Sequence, residues 1–100
     1  MEIYDEHTDF EWDDEKASEN ERKHNVTFER AIEVFSDPYA LIVEDKVHSL
    51  TENRFNIIGL DLLTRVLFVC YCERNEGNTF RIISARKATN NEEKQYWKRR

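Results

Sequence analysis

The sequence predicts an α+β domain: two N-terminal helices packed on a twisted antiparallel sheet of about four strands, followed by a C-terminal helix. Three observations carry this. Phe28, Ala31, Ile32 and Phe35 recur at helical spacing, which makes one clean apolar face. From Tyr39 to Arg86 the chain is a series of β-branched and aromatic runs joined by short polar connections, the pattern of antiparallel neighbours. Thr89-Asn90-Asn91-Glu92 then has the spacing of a capping box, which opens a last helix.

Residues 1–9 have little apolar content and no period, so they read as a flexible leader before a single domain over 10–100. Phe10-Glu11-Trp12 is either a short edge strand or a pair of aromatics anchoring the first helix. Asp13 or Asp14 serves as its N-cap, and Glu15 to His24 is helical by propensity but almost wholly polar. Its best inward stripe is Asp13, Ala17, Asn20 and His24. A stripe so polar lies on the surface, or its Asn20 and His24 turn inward to hydrogen-bond partners. Thr27 caps the second helix, which ends at Asp37-Pro38 because Pro38 drives Asp37 out of helical geometry.

Four strands are expected at Tyr39 to Glu44, Arg54 to Leu60, Arg65 to Glu73 and Thr79 to Arg86. The third is the most apolar and so the most central. Gly59 marks a bulge at the end of the second, and Gly77 supplies positive φ in the Asn75–Asn78 connection. Leu62 and Leu63 are oddly apolar for a turn, which suits packing on a partner. Asn90 to Lys98 forms the final helix, with Tyr96 and Trp97 as its large side chains and Lys98-Arg99-Arg100 complementing its dipole.

A chain of 100 residues builds a modest core, too small to enclose a large cofactor. It has two glycines, Gly59 and Gly77, so it has no Gly-rich phosphate loop. His7, His24, His48, Cys70 and Cys72 fall at no zinc spacing, and neither a metal nor an organic cofactor is expected. Cys70 and Cys72 sit two apart in a strand pattern, where a disulfide would be strained. Free thiols and the absence of a long apolar run make the cytoplasm the expected location, with no membrane contact.

The formal net charge is −6, which argues against a nucleic-acid partner, but the charge is unevenly distributed. Residues 1–53 carry 16 acids and 5 bases, net −11, whereas residues 54–100 carry 5 acids and 10 bases, net +5. The halves either face two different partners or reflect acidic helices beside strands that use arginine. The basic half places Arg54, Arg74, Arg81, Arg86 and Lys87 on strands. Strict alternation puts Arg81 with Ile83 and Ala85, opposite Arg86, while Arg74 can meet Arg81 across their hairpin. Two arginines that close need an anion between them. A backbone phosphate satisfies this, and so does a carboxylate from Glu73 or Glu76. Lys23 and His24 either serve a site or are satisfied structural groups, and Tyr96 either stacks a base or donates a proton, or packs its ring on the sheet.

Arg81-Ile82-Ile83-Ser84-Ala85-Arg86-Lys87-Ala88, followed by Glu92 and Tyr96, resembles the C-terminal signature of BrnT-type toxins. Phe10-Glu11-Trp12-Asp13 with Lys16, Asn20 and Lys23-His24 is similar to that family's opening helix. Val26-Thr27-Phe28-Glu29 with Asp37-Pro38, and Glu52-x-Arg54-Phe55 with Ile58-Gly59, resemble its next segments. The resemblance implies a RelE-like fold and the toxin of a type II toxin–antitoxin pair, which cleaves RNA without a metal and blocks translation. It also implies a ribbon-helix-helix antitoxin of the BrnA kind, through which alone the pair reaches operator DNA. On that reading Arg81, Arg74 and Arg54 are catalytic together with Lys23, His24 and Tyr96, while Arg86 and Lys87 bind RNA. The chain departs from the usual strongly basic toxin in being acidic overall. The alternative is a non-catalytic or degenerate module whose acidic half grips an antitoxin or another basic partner.

Overall fold

The structure, a computed structural model, describes residues 8–49 and 52–100. Its elements run β1 (Asp9–Glu11), α1 (Asp14–His24), α2 (Phe28–Glu33) and a 3₁₀ turn (Val34–Ser36). They continue with β2 (Leu41–Glu44), β3 (Asn53–Leu60), β4 (Val66–Arg74), β5 (Thr79–Lys87) and α3 (Asn90–Arg99). The architecture is α+β, as expected, but the sheet has five strands in the order β1-β5-β4-β3-β2 and is mixed. The four antiparallel strands of the sequence reading are all present, with β4 at the centre. The fifth is Asp9–Glu11, which pairs in parallel with Thr79–Arg81. Three residues with one apolar side chain carry little strand signal, and their partner lies some 70 positions away. Most of the expected leader, residues 1–7, lies outside the described residues, while Asp9 belongs to the sheet.

Local signals set the helix ends. Asp13 caps α1 by accepting the Lys16 amide, and Asn25 closes it in the left-handed region at φ 57°. Thr27 caps α2, and Thr89 and Glu92 form the full capping box of α3. Val26, Phe28, Ala31, Val34 and Phe35 pack on Ile57, Leu67, Val69, Tyr71, Phe80 and Ile82, making the main core on one face of the sheet. Ile58 and Val66, adjacent in the chain to Ile57 and Leu67, point the other way. There they form a second cluster with Tyr96 of α3. The sheet is thus covered by helices on both faces, over the main core on the first and only at one end on the second.

α1 brings few apolar groups to the core. It runs along the outer edge of β5, which β1 covers only at Thr79–Arg81. Beyond that point buried Asn20 stands in for a strand: its amide nitrogen donates to the Ala85 carbonyl at 2.8 Å, and its carbonyl accepts the Ala85 N–H at 3.0 Å. The same nitrogen also donates to the Val26 carbonyl at 2.9 Å. The inward turn expected of the polar stripe is made by Asn20, while His24 is exposed.

Gly59 forms no bulge; it pairs regularly with Leu67. It sits where Val34 and Ala40 crowd the strand, and a Cβ there would lie 3.1 Å from one and 3.2 Å from the other, a tight fit that those side chains would have to relieve by shifting. Gly77 does take positive φ, at 87°. Asp61, buried, organises the β3–β4 turn by accepting the Leu63 and Arg65 amides and pairing with the Arg65 guanidinium at 2.9 Å. The turn holds Leu62 and Leu63 out to solvent, at 77% and 53% exposure. Among the described residues, no helix is long and apolar enough to cross a membrane.

Candidate functional site

The bulge lies in β5. Cys70 pairs with Ser84 and Tyr71 with Ile82, so Ile83 has no opposite number. A one-residue slip inverts every side chain beyond it. Arg81 opposes Cys72 and Arg86 opposes Phe68, and those two lie on the same face of the unbroken β4. Arg81 and Arg86 therefore share a face, contrary to strict alternation.

This is the face that α3 covers at one end only. Across its open end runs a row of four side chains on four strands: Glu11, Arg81, Cys72 and Arg54. Adjacent strands are spaced by about 4.8 Å, which puts the backbones of Arg81 and Arg54 roughly 10 Å apart, on either side of Cys72. Arg74 is the diagonal neighbour of Arg81 across the hairpin, because it opposes Thr79. The next row, Ser84, Cys70 and Asn56, is small and polar. Beyond it, Arg86 stacks on Phe68 at 4.2 Å to the ring centroid, and both its terminal nitrogens bond Glu92, at 2.8 and 3.0 Å. Arg86 thereby clasps β5 to α3. Lys87 opposes Leu67 and falls on the opposite face.

Carboxylates hold Arg81 and Arg74 as well, but not the carboxylates the sequence pointed to. Glu11 accepts from Arg81 at 2.7 Å, and Glu52 accepts from Arg74 at 2.9 Å, in place of Glu73 or Glu76. The other Glu52 oxygen accepts the Cys72 thiol at 2.9 Å. That thiol and the positive charges of Arg74, Arg54 and Arg81 hold the Glu52 carboxyl below its usual range, so it is ionised. Burial, then the bond and charge of Glu52, push the Cys72 thiol up to about 11, which keeps it a proton donor and a poor nucleophile. Burial likewise raises Cys70. Among the described residues, the Arg54 guanidinium has no carboxylate partner.

Lys23 and His24 border a cleft between α1 and the bulge, with Lys16, Glu19, Asn20, Ile83 and Ser84 as its other walls. Lys23 is held by Glu19 at 3.1 Å. Tyr96 is not brought to the open face. It is fully buried, its hydroxyl donates to Asp37 and accepts from Arg100 at 2.8 Å, and burial raises its pKa. It ties α3 to the end of the second helical segment and has no ring face to offer a base. Asp37 also accepts the Leu60 amide at 2.8 Å, so this knot joins α3, the helix end and β3.

The sequence reading did not single out Glu52 or Glu11, the carboxylates that contact this row. Glu52-x-Arg54 held a usable signal, since alternation puts both on one face of a strand. Nothing local distinguished Glu11 from the other acids of its half. Among the described residues no group of three or more His, Cys, Asp or Glu side chains could hold a metal ion. The arrangement offers a shallow cationic surface able to receive a phosphodiester, with the carboxylates of Glu11 and Glu52 interleaved.

Comparison with known proteins agrees with this architecture. A crystal structure of the Brucella abortus ribonuclease toxin BrnT superposes with a TM-score of 0.60 at 20% identity, covering 83% of this chain and 99% of that one. At that identity the likeness concerns the fold. A sequence search of curated proteins gave no match. The model of one family, described as the ribonuclease toxin BrnT of type II toxin–antitoxin systems, matches residues 12–92. The chain belongs to the BrnT family of ribonuclease toxins, whose members work as one half of a toxin–antitoxin pair.

Proposed function

We propose that the chain is a metal-independent endoribonuclease. It cleaves RNA by attack of a ribose 2′-hydroxyl on the adjacent phosphate and so inhibits translation in the cytoplasm. The observation that carries this reading is the row in which Arg81 and Arg54 flank Cys72 on an open sheet face. The reaction places negative charge on a pentacoordinate phosphorus, and fixed guanidinium groups stabilise it without a metal. Arg54, which no carboxylate holds among the described residues, meets the phosphate first. Arg81 and Arg74 follow by exchanging Glu11 and Glu52 for phosphate oxygens. Glu52, ionised and beside the row, accepts the 2′-hydroxyl proton, and Lys23 and His24 on the cleft wall supply the proton to the leaving 5′-oxygen. The bond from the 2′-oxygen to phosphorus forms as the 5′-oxygen bond breaks, leaving a 2′,3′-cyclic phosphate.

Antitoxin binding silences this face. The family supports an antitoxin partner, and we take it to be a BrnA-like ribbon-helix-helix protein that alone contacts operator DNA.

The pairing of Arg81, Arg74 and Arg86 with glutamates favours a second reading, in which these are structural ion pairs and the chain is a non-catalytic module that binds its antitoxin. Purified protein incubated with single-stranded RNA, with and without chelator, separates the two. Chelator-resistant cleavage to cyclic phosphate ends, abolished in Glu52→Gln and Arg81→Ala, supports the nuclease. Intact RNA alongside tight binding to the product of the adjacent gene supports the module.

A further inference from the structure

The C-terminal half of α3 carries a cluster that the arginine row does not use. Residues 94–100 contain Lys94, Lys98, Arg99 and Arg100 and no acid, and all four cations are exposed. Two large rings are exposed among them: Trp97 at 47% and Tyr39, at the approach to β2, at 44%. The Arg100 guanidinium lies 4.7 Å from the Tyr39 ring centroid and 5.5 Å from that of Trp97. It is held there by its bond to the Tyr96 hydroxyl and by Asp37 at 3.8 Å. Arg99 fixes the same corner by donating to the Ala40 carbonyl at 3.2 Å. The Trp97 indole N–H reaches Glu93 at 3.3 Å, which sets the ring's orientation.

Half-exposed aromatic rings that share a fixed guanidinium, surrounded by cations, match a flexible polyanion whose bases are free to stack on their open sides. Helix α3 lies on the sheet face that bears the arginine row. From Arg54 to Leu60, where α3 covers β3, the strand climbs about 20 Å at ~3.3 Å per residue. We propose that Tyr39, Trp97 and Arg100 form a second contact for single-stranded RNA, one that grips the substrate several nucleotides away from the arginine row. This rests on the nuclease reading for its substrate. The platform adds affinity for long RNA and none for a dinucleotide. An acidic protein segment is the other occupant such a surface could take, and the test separates the two.

The probe is a fluorescent twelve-nucleotide single strand with 2′-O-methyl riboses, which cannot be cleaved, so wild-type protein can be titrated by anisotropy. Trp97→Ala and Tyr39→Ala are each expected to weaken binding at least about fivefold, from stacking worth ~1–3 kcal/mol per base. Trp97→Phe retains most of the affinity. Lys94→Ala with Lys98→Ala flattens the salt dependence by about 0.7 in log–log slope per lost contact. Affinity for the corresponding dinucleotide stays unchanged in all of them. Unchanged twelve-nucleotide affinity in both ring variants overturns the proposal, as does equal loss on the dinucleotide. It is also overturned if these variants lose the copurifying antitoxin while keeping RNA. Cleavage of unmodified RNA is read separately: its absence in wild type, with ring-dependent binding intact, sinks the nuclease reading and leaves the platform standing.

Discussion

Arg81 and Arg54 stand on either side of Cys72, on three adjacent strands and one face of the sheet. They differ in what holds them. Arg81 is paired with Glu11, and among the described residues Arg54 has no such partner. Replacing Arg54 by alanine therefore breaks no ion pair seen here and leaves stability within about 0.5 kcal/mol of wild type. Loss of one charge-stabilising donor lowers cleavage by about 10²–10³-fold. Single-turnover RNA cleavage alongside a denaturant midpoint checks both halves. Wild-type turnover in Arg54→Ala would remove it from the site.

The bidentate clasp between Arg86 and Glu92 makes a prediction about pH. The bond and charge of Arg86, aided by the Thr89 amide, hold the Glu92 carboxyl below its usual range. A carboxyl lowered in the folded state stabilises fully above its unfolded pKa, and the contribution disappears as pH falls through the folded value. Glu92→Gln should cost about 1 kcal/mol or less at neutral pH, since both groups are partly in water. The gap between the variant and wild type should close on acidification. Urea midpoints from pH 7 down to pH 3 measure it, and a gap constant over that range would contradict the assignment.

Asn20 satisfies an edge that no strand covers. Asn20→Ala leaves the Ala85 amide and carbonyl and the Val26 carbonyl short of partners in a buried site, which costs roughly 2–4 kcal/mol. Asn20→Asp keeps the shape but loses the donor, so it should be nearly as destabilised. Faster hydrogen exchange at the Ala85 amide in both variants is the specific signature, beyond a lower Tm.

Tyr96→Phe deletes the hydroxyl that joins Asp37 to Arg100 while keeping the ring among Ile58 and Val66. A loss of about 1–3 kcal/mol is expected, because buried Asp37 loses a donor. The hydroxyl is buried away from the open face, so kcat at saturating RNA in the folded variant should match wild type, any change being confined to the affinity for long RNA through the freed Arg100. Reduced kcat in fully folded Tyr96→Phe would restore the residue to the chemistry.

Much of the architecture was legible because its signals are local. Thr89 and Glu92 three apart, Pro38 after Asp37, and Phe28 with Ala31, Ile32 and Phe35 each act within one or two helical turns. The pieces that escaped depend on distant partners. Glu11 needs Arg81, and Glu52 needs Arg74 and Cys72. An edge strand was one of the two readings of Phe10-Glu11-Trp12, but its parallel partner at Thr79–Arg81, some 70 positions away, left no local mark. Tyr96 and Trp97 show the same limit at adjacent positions: both suit a helix, and only the packing of α3 decides that the first is buried and the second exposed.

By itself the sequence determined where helices begin, which strands are apolar enough to lie inside, and that positive charge gathers in the second half of the chain. The tertiary structure alone decided which positive charges share a face. Alternation along a strand propagates without error only while the register is unbroken. The one unpaired residue at Ile83 is a property of two strands together, so no pattern within Arg81–Arg86 could reveal that both ends point the same way.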